Sequence, residues 1–195
     1  EVFRTEKSEL QVKRVALQAF ENLGLFAVEF LSIPRLTQDL NRYVVLRNAQ
    51  AIFTALESGK GAILTISHFG NWEWMAVAAG PVFSENGFSI HAVARPLGNP
   101  FLYRCVKELR GATGLKTVDK KGAAREVAKL LEQNRIVCIL IDQHERYGSV
   151  RVPYFGRPAW TTALPAVMAL KKGVPVIPVF CYRRFPQPSV VEIGE

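Results

Sequence analysis

The apolar residues Val12, Val15, Ala16, Ala19, Phe20, Leu23, Phe26 and Phe30 recur at helical spacing across residues 8–31, which predicts a long helix near the start of the chain. Gly24 should weaken or divide that helix. Ile33-Pro34 should stop it, because proline lacks the amide that the next turn requires and restricts the residue before it. A second helix is predicted over residues 37–57, with Leu40, Val44, Leu46, Ala49, Ile52, Phe53 and Leu56 turned inward. Ser58-Gly59-Lys60-Gly61 then breaks the pattern. Beyond that break, continuous apolar runs at 62–66, 89–94, 136–141 and 174–180 read as buried strands, with helical patterns at 72–79, 100–110, 122–132 and 161–172 between them. Buried strands separated by helices imply a mainly parallel sheet covered on both faces. The expected fold class is α/β, with two N-terminal helices before the sheet. Residues 61–195 form the α/β domain, and residues 1–60 form a helical segment packed on the domain or on a membrane surface.

Composition narrows the picture. The 195 residues are 49% hydrophobic and 22% charged, too apolar for a disordered chain and too punctuated for a membrane bundle. A bilayer crossing asks for about 20 consecutive apolar residues. The longest charge-free stretch near the N-terminus, residues 22–28, is far shorter, so no crossing is expected. The chain opens without Met and stops at Ile193-Gly194-Glu195, just past a strand-like run, and so reads as a piece of a longer protein truncated at both ends. Cys105, Cys138 and Cys181 lie far apart without a C-x-x-C pair, which speaks against a disulfide scaffold or a zinc ribbon. Charge is divided unevenly: residues 1–60 carry 8 basic and 7 acidic groups, and residues 61–195 carry 17 and 10. A basic second part favours an anionic partner such as a phosphorylated lipid, an acidic carrier protein or nucleic acid; a solvated basic surface is the plainer reading.

The chemistry concentrates in Ser67-His68-Phe69-Gly70-Asn71-Trp72-Glu73-Trp74, directly after the strand at 62–66. The strand ends at Ser67, and Gly70-Asn71 turns the chain into a helix. His68 is thereby placed at the carboxyl edge of the sheet, where open α/β folds build ligand sites. With His68 on the turn and Glu73 in the first helical turn, the carboxylate can reach back to the imidazole. Such a pair fixes the tautomer and leaves the other ring nitrogen to remove a proton. Asn71 can cap the helix, and free amides at Gly70 and Asn71 can hold an anion. A histidine near a strand end is also commonly structural, and five spacers alone match by chance.

The longer string decides between these. His68-Phe69-Gly70-Asn71-Trp72-Glu73 resembles the H-x-x-x-x-[DE] signature of the bacterial lipid A late acyltransferases, the lauroyl and myristoyl transferase family. The likeness continues in order through Ala94-Arg95-Pro96 with Asn99-Pro100, Asp142-Gln143, Val152-Pro153-Tyr154-Phe155-Gly156-Arg157-Pro158-Ala159 and Gly173-Val174-Pro175-Val176-Ile177-Pro178. It covers residues from about 10 to 181; Tyr154 stands where the family usually has Phe. Members commonly carry a hydrophobic anchor helix and a longer C-terminal part, neither of which is expected in this chain. The blocks do not separate lipid A enzymes from relatives that acylate other glycolipids, such as the mycobacterial phosphatidylinositol mannoside acyltransferases.

The resemblance implies transfer of a fatty acyl group from a thioester, acyl-acyl carrier protein or acyl-CoA, to a hydroxyl of an anionic glycolipid. It implies a cytoplasmic-face location at the bacterial inner membrane, no metal and no organic cofactor. In this reading His68 is the general base and Glu73 its partner. Arg95, at the end of a strand, suits an oxyanion or phosphate, and the resemblance implies that it supports the site. Asp142 ends an apolar run and needs a partner: it either pairs with Arg95, helps order the site, or forms a structural ion pair. Thr161 either binds phosphate with Phe155 and Gly156 nearby or caps a helix. Phe69, Trp72, Trp74 and Met75 either line an acyl groove or belong to the core. His91 reads as structural, and His144 follows the Asp142-Gln143 block. Neither G-x-S-x-G nor G-x-x-x-x-G-K-[ST] occurs, and Cys105 reads as helix interior. Two rivals remain: a nucleic-acid binder, against which the basic residues are dispersed and form no stripe, and a silent lipid-binding protein, which has no need of a His–Glu pair.

Overall fold

A computed structural model describes Phe3, residues 6–184 and residues 187–194, with the backbone alone for Thr37 and Gln38; the closing Glu195 lies outside the described residues. The first helix, α1 (Glu9–Leu36), opens on a reciprocal cap: Ser8 Oγ accepts the Gln11 amide and Gln11 Oε1 accepts the Ser8 amide. It is neither divided at Gly24 nor stopped at Pro34. Pro34 sits in the last turn, where its missing amide forfeits one bond with two helical residues still to come. Ile33 is the buried residue of α1, while Leu17, Phe20, Leu23, Leu25, Val28 and Leu31 are exposed. Carried across Glu21 and Glu29, α1 is the one helix among the described residues long and apolar enough, by length and composition alone, to cross a membrane. The short charge-free stretch at 22–28 did not suggest this.

The second predicted helix does not form as such. Residues 37–42 make a 3-10 turn, Val44–Arg47 make strand β1, and a helix, α2, spans Gln50–Leu56. Val44 and Val45 are β-branched and suit a strand, and β1 finds its partner at the far end of the chain, where Val44 lies opposite Ser189. Local periodicity cannot see that pairing. The boundary expected at residue 60 accordingly falls inside the α/β unit, and one long helix, not two, precedes the sheet.

The rest follows the alternation: β2 (Ala62–Ile66), α3 (Glu73–Glu85), β3 (Ile90–Ala94), α4 (Pro100–Gly111), β4 (Lys116–Asp119), α5 (Ala123–Glu132) and β5 (Ile136–Leu140). A hairpin of β6 (Ser149–Tyr154) and β7 (Arg157–Thr162) precedes α6 (Leu164–Lys172), β8 (Val176–Arg184) and β9 (Gln187–Ile193). The seven-stranded sheet has the order β1-β9-β8-β2-β5-β3-β4, and its pairings are parallel except that of β8 with β9. Alternate residues serve opposite faces. Leu64, Ile66, Ile136 and Cys138 pack with Ile52 of α2 and Val77 and Phe83 of α3, whereas Ile63, Val137 and Ile139 pack with Val127 and Leu131 of α5 and Met168 of α6. From β2 the chain passes to α3 on the first face; from β5 it passes through the hairpin to α6 on the second. Adjacent strands whose connections leave in opposite directions open a crevice at their carboxyl ends.

Candidate active site

β2 and β5 run side by side in parallel, with Ile66 opposite Leu140. His68 and Asp142 each stand two residues past that last rung, so the register brings them face to face. Asp142 Oδ1 lies 2.8 Å from His68 Nδ1, and Asp142 Oδ2 accepts the His68 backbone amide at 2.7 Å. Using both oxygens on one residue fixes the carboxylate and the ring together. An ionised carboxylate can only accept, so Nδ1 carries the ring proton and Nε2 keeps its lone pair. Gln143 Nε2 stands 3.3 Å from that lone pair as a donor. The Trp72 ring meets the imidazole edge-on, centroids 4.7 Å apart. The His68 and Asp142 side chains are 29% and 30% exposed, open enough for a substrate hydroxyl to take the place of Gln143.

The turn that carries His68 is pressed against β8. Gly70 has φ +61°, and a Cβ there would lie 2.1 Å from the Cys181 carbonyl oxygen, so glycine alone fits. Asn71 is fully buried. Its Oδ1 accepts the Glu73 amide at 3.1 Å from one position before the N-cap of α3, which is Trp72 and not the Asn71 expected, and its Nδ2 donates to Glu29 of α1 at 2.7 Å. Its backbone amide bonds the Cys181 thiol. The role expected for Asn71 as an anion or oxyanion donor therefore does not hold: its amide faces into β8, away from the crevice.

Glu73 is not the partner of His68. Its carboxylate is buried under α3 and accepts from Arg110 Nε at 3.1 Å and Nη2 at 2.6 Å, Arg110 standing in the last turn of α4. Both oxygens are occupied, and the side chain points inward, away from the turn. The pairing proposed between Asp142 and Arg95 fails for the matching reason, since Asp142 is held by His68. Arg95 follows β3, two strands from β2, and among the described residues it is exposed and makes no ion pair.

The remaining candidates fall on either side of the site. Phe69 is exposed beside His68; Trp72 is half-buried and stacks on Phe26 of α1 at 4.0 Å. Trp74 and Met75 are buried, the core reading. Phe155-Gly156 forms the two-residue turn of the β6–β7 hairpin, both residues at positive φ, as such turns require. Thr161 does not start a helix: it lies in β7, and its hydroxyl donates to the Ile141 carbonyl just before Asp142. His91 is buried in β3 with Ser89 Oγ 2.9 Å from Nε2, and burial, then Lys116 and Arg135, hold its pKa below the ordinary value. Burial pushes the Cys138 thiol up to about 12 and Cys181 to about 11, leaving both unreactive. Among the described residues no group of three or more His, Cys, Asp and Glu side chains is placed to hold a metal ion.

A model of the bacterial lipid A biosynthesis acyltransferase family matches residues 2–188. The chain belongs to that family. Among curated relatives, a phosphatidylinositol mannoside acyltransferase of Mycolicibacterium smegmatis is 30% identical over 135 residues, 67% of this chain and 43% of the relative. Its namesake from Mycobacterium tuberculosis is 26% identical over 173 residues, 84% of this chain and 53% of the relative. The chain thus spans about half the length of the curated relatives it matches. Within this acyltransferase family chain, sequence reasoning missed Gln143, Arg110, Glu29 and Arg183 as neighbours of the site. Gln143 carried a signal: it lies in the Asp142-Gln143 block at a strand end. The other three depend on which helices and strands lie beside the turn.

Proposed function

We propose that this chain transfers a fatty acyl group from an acyl thioester to a sugar hydroxyl of an anionic glycolipid, with His68 as general base and Asp142 as the group that orients it. The observation that carries this reading is the 2.8 Å contact of Asp142 with His68 Nδ1, which leaves the Nε2 lone pair at the crevice. In the step, Nε2 takes the hydroxyl proton as the oxygen attacks the thioester carbonyl. The imidazolium formed is stabilised by Asp142. Collapse of the tetrahedral intermediate breaks the C–S bond, and the proton passes from His68 to the departing sulfur. Arg95 emerges roughly 10 Å from β2 by strand spacing, near enough for its extended side chain to meet the developing oxyanion or an acceptor phosphate.

Acceptor and donor follow from chemistry and relatives together. The relatives' names favour a phosphatidylinositol mannoside as acceptor, the family description a lipid A precursor. Both are anionic glycolipids with free sugar hydroxyls. The basic excess of residues 61–195 complements an acidic acyl carrier protein or the phosphates of CoA. The exposed apolar residues of α1 support binding at a membrane surface, which this reading takes to be the cytoplasmic face of the inner membrane. His68→Gln tests the base directly. Transfer from a fatty acyl-CoA to phosphatidylinositol mannoside should fall about 10²–10⁴-fold, with an unchanged melting temperature. A folded variant with near wild-type turnover ends the mechanism.

A further inference from the structure

α1 reaches the catalytic turn at two points, Asn71 and Trp72, three and four residues after His68. Glu29, three-quarters of the way along α1, is gripped by Arg183 of β8, whose Nε donates to Oε1 at 3.1 Å and Nη2 to Oε2 at 2.7 Å. The same Oε2 accepts from Asn71 Nδ2 at 2.7 Å. Arg183 also reaches Asn22 Oδ1, one helical stretch earlier, at 2.9 Å. Three residues before Glu29, Phe26 stacks on Trp72, and Trp72 in turn rests edge-on against the His68 ring. β8 completes the grip from below: Cys181 and Arg183 alternate onto one face of the strand, the first bonded to the Asn71 amide and close against Gly70, the second holding Glu29.

We infer that Glu29, through Asn71, and Phe26, through Trp72, are positioning residues of α1 that set the imidazole of His68. The inference rests on the reading of His68 as base. Asn71 is fully buried with both side-chain groups bonded, so it transmits the position of Glu29 to the Glu73 amide and fixes the turn from its inner side. Trp72 fixes it from the outer side, since its ring touches α1 on one face and His68 at its edge. α1 is also seated near its end, where Ile33 lies in the core with Phe30 and Leu36 packed against it, and it leaves much of its remaining apolar surface exposed. The cluster at Glu29 and Phe26 is where that seating reaches the turn carrying His68. A small displacement at a reacting group far outweighs its structural size: about 1 Å can lower a rate on the order of 10²-fold.

The test uses the full chain, with two readouts taken together: the imidazole carbon–hydrogen NMR signals, and kcat and KM for transfer from a fatty acyl-CoA to phosphatidylinositol mannoside. The chain has three histidines, so the His68 signals are identified by their loss in His68→Gln. Glu29→Ala should move the His68 signals while those of His91 stay in place, and lower kcat about 10–100-fold with little change in KM. Glu29→Gln keeps an oxygen for Asn71 and should recover part of both effects. Phe26→Leu keeps apolar volume, removes the ring beneath Trp72, and serves if Glu29→Ala does not fold; it should move the same signals. His68 signals that stay in place, or that move with kcat unchanged, overturn the inference. Failure of the base reading is separate: it shows as turnover retained in His68→Gln, whatever Glu29→Ala does to the ring.

Discussion

Two paired carboxylates flank the turn after β2, and their surroundings assign them different work. At the crevice, Asp142 holds His68 with both partners about a third exposed. At the base of α3, Glu73 and Arg110 form a two-bonded pair whose side chains are 6% and 19% exposed. A group that must trade a proton with substrate and solvent needs the first setting. In the second, the two charges face each other and both carboxylate oxygens are occupied by the guanidinium. The carboxylate nearest to His68 in sequence is therefore bonded to Arg110, and the one that touches His68, and that the proposed mechanism uses, lies 74 residues away. Spacing along the chain says little about which acid serves a base; strand adjacency says more.

The largest way to sharpen the contrast is to empty the buried side. Glu73→Ala leaves the mostly buried Arg110 guanidinium without its counter-charge, which should destabilise the fold by about 3 kcal/mol. The midpoint of urea unfolding measures it. Replacing both partners, Glu73→Met with Arg110→Met, should restore much of that stability, since removing both charges together leaves none unpaired. A single variant as stable as wild type would mean that the pair is far more solvated than its burial indicates.

On the exposed side the expected effects on stability are smaller. Thr161→Val removes the hydroxyl that ties the hairpin to the Ile141 carbonyl, next to Asp142. One such bond contributes about 1 kcal/mol. The variant should melt slightly lower and turn over more slowly, because Asp142 loses the neighbour that fixes its backbone. Unchanged kcat with the lowered melting point would show that Asp142 is held by β5 alone.

What could be read from the chain follows the same division between local and distant causes. β2, β3 and β5 are continuous apolar runs, and their bounds agree with the expected ones to within a residue. The strand-turn-helix at Ile66–Glu73 was legible because glycine, a cap residue and the end of a buried strand all fall within a few positions. β1 reads as helix because its reason to be a strand, β9, lies about 145 residues further on. β4, β6 and β7 escape a sequence reading for related reasons: they are short or half-exposed and carry little apolar signal, whereas the run that forms β9 reads as strand-like, without its partners. The partner of His68 is hidden in the sequence because β3 and β4 intervene in the chain between β2 and β5 but lie beyond β5 in the sheet. Had β5 been placed beside β2, two polar residues at the same offset past two adjacent strands would have pointed to His68 and Asp142.

The central claim is that Asp142, not Glu73, serves His68. Asp142→Asn and Glu73→Gln test it side by side, each nearly isosteric, with kcat expressed per folded molecule for transfer from a fatty acyl-CoA to phosphatidylinositol mannoside. An asparagine amide donating to Nδ1 would force the ring proton onto Nε2, the wrong tautomer for a base. Asp142→Asn should therefore lose about 10²-fold or more in kcat, while Glu73→Gln loses stability and keeps kcat close to wild type. The reverse, a Glu73→Gln protein that folds but does not turn over beside a fully active Asp142→Asn, would contradict the account.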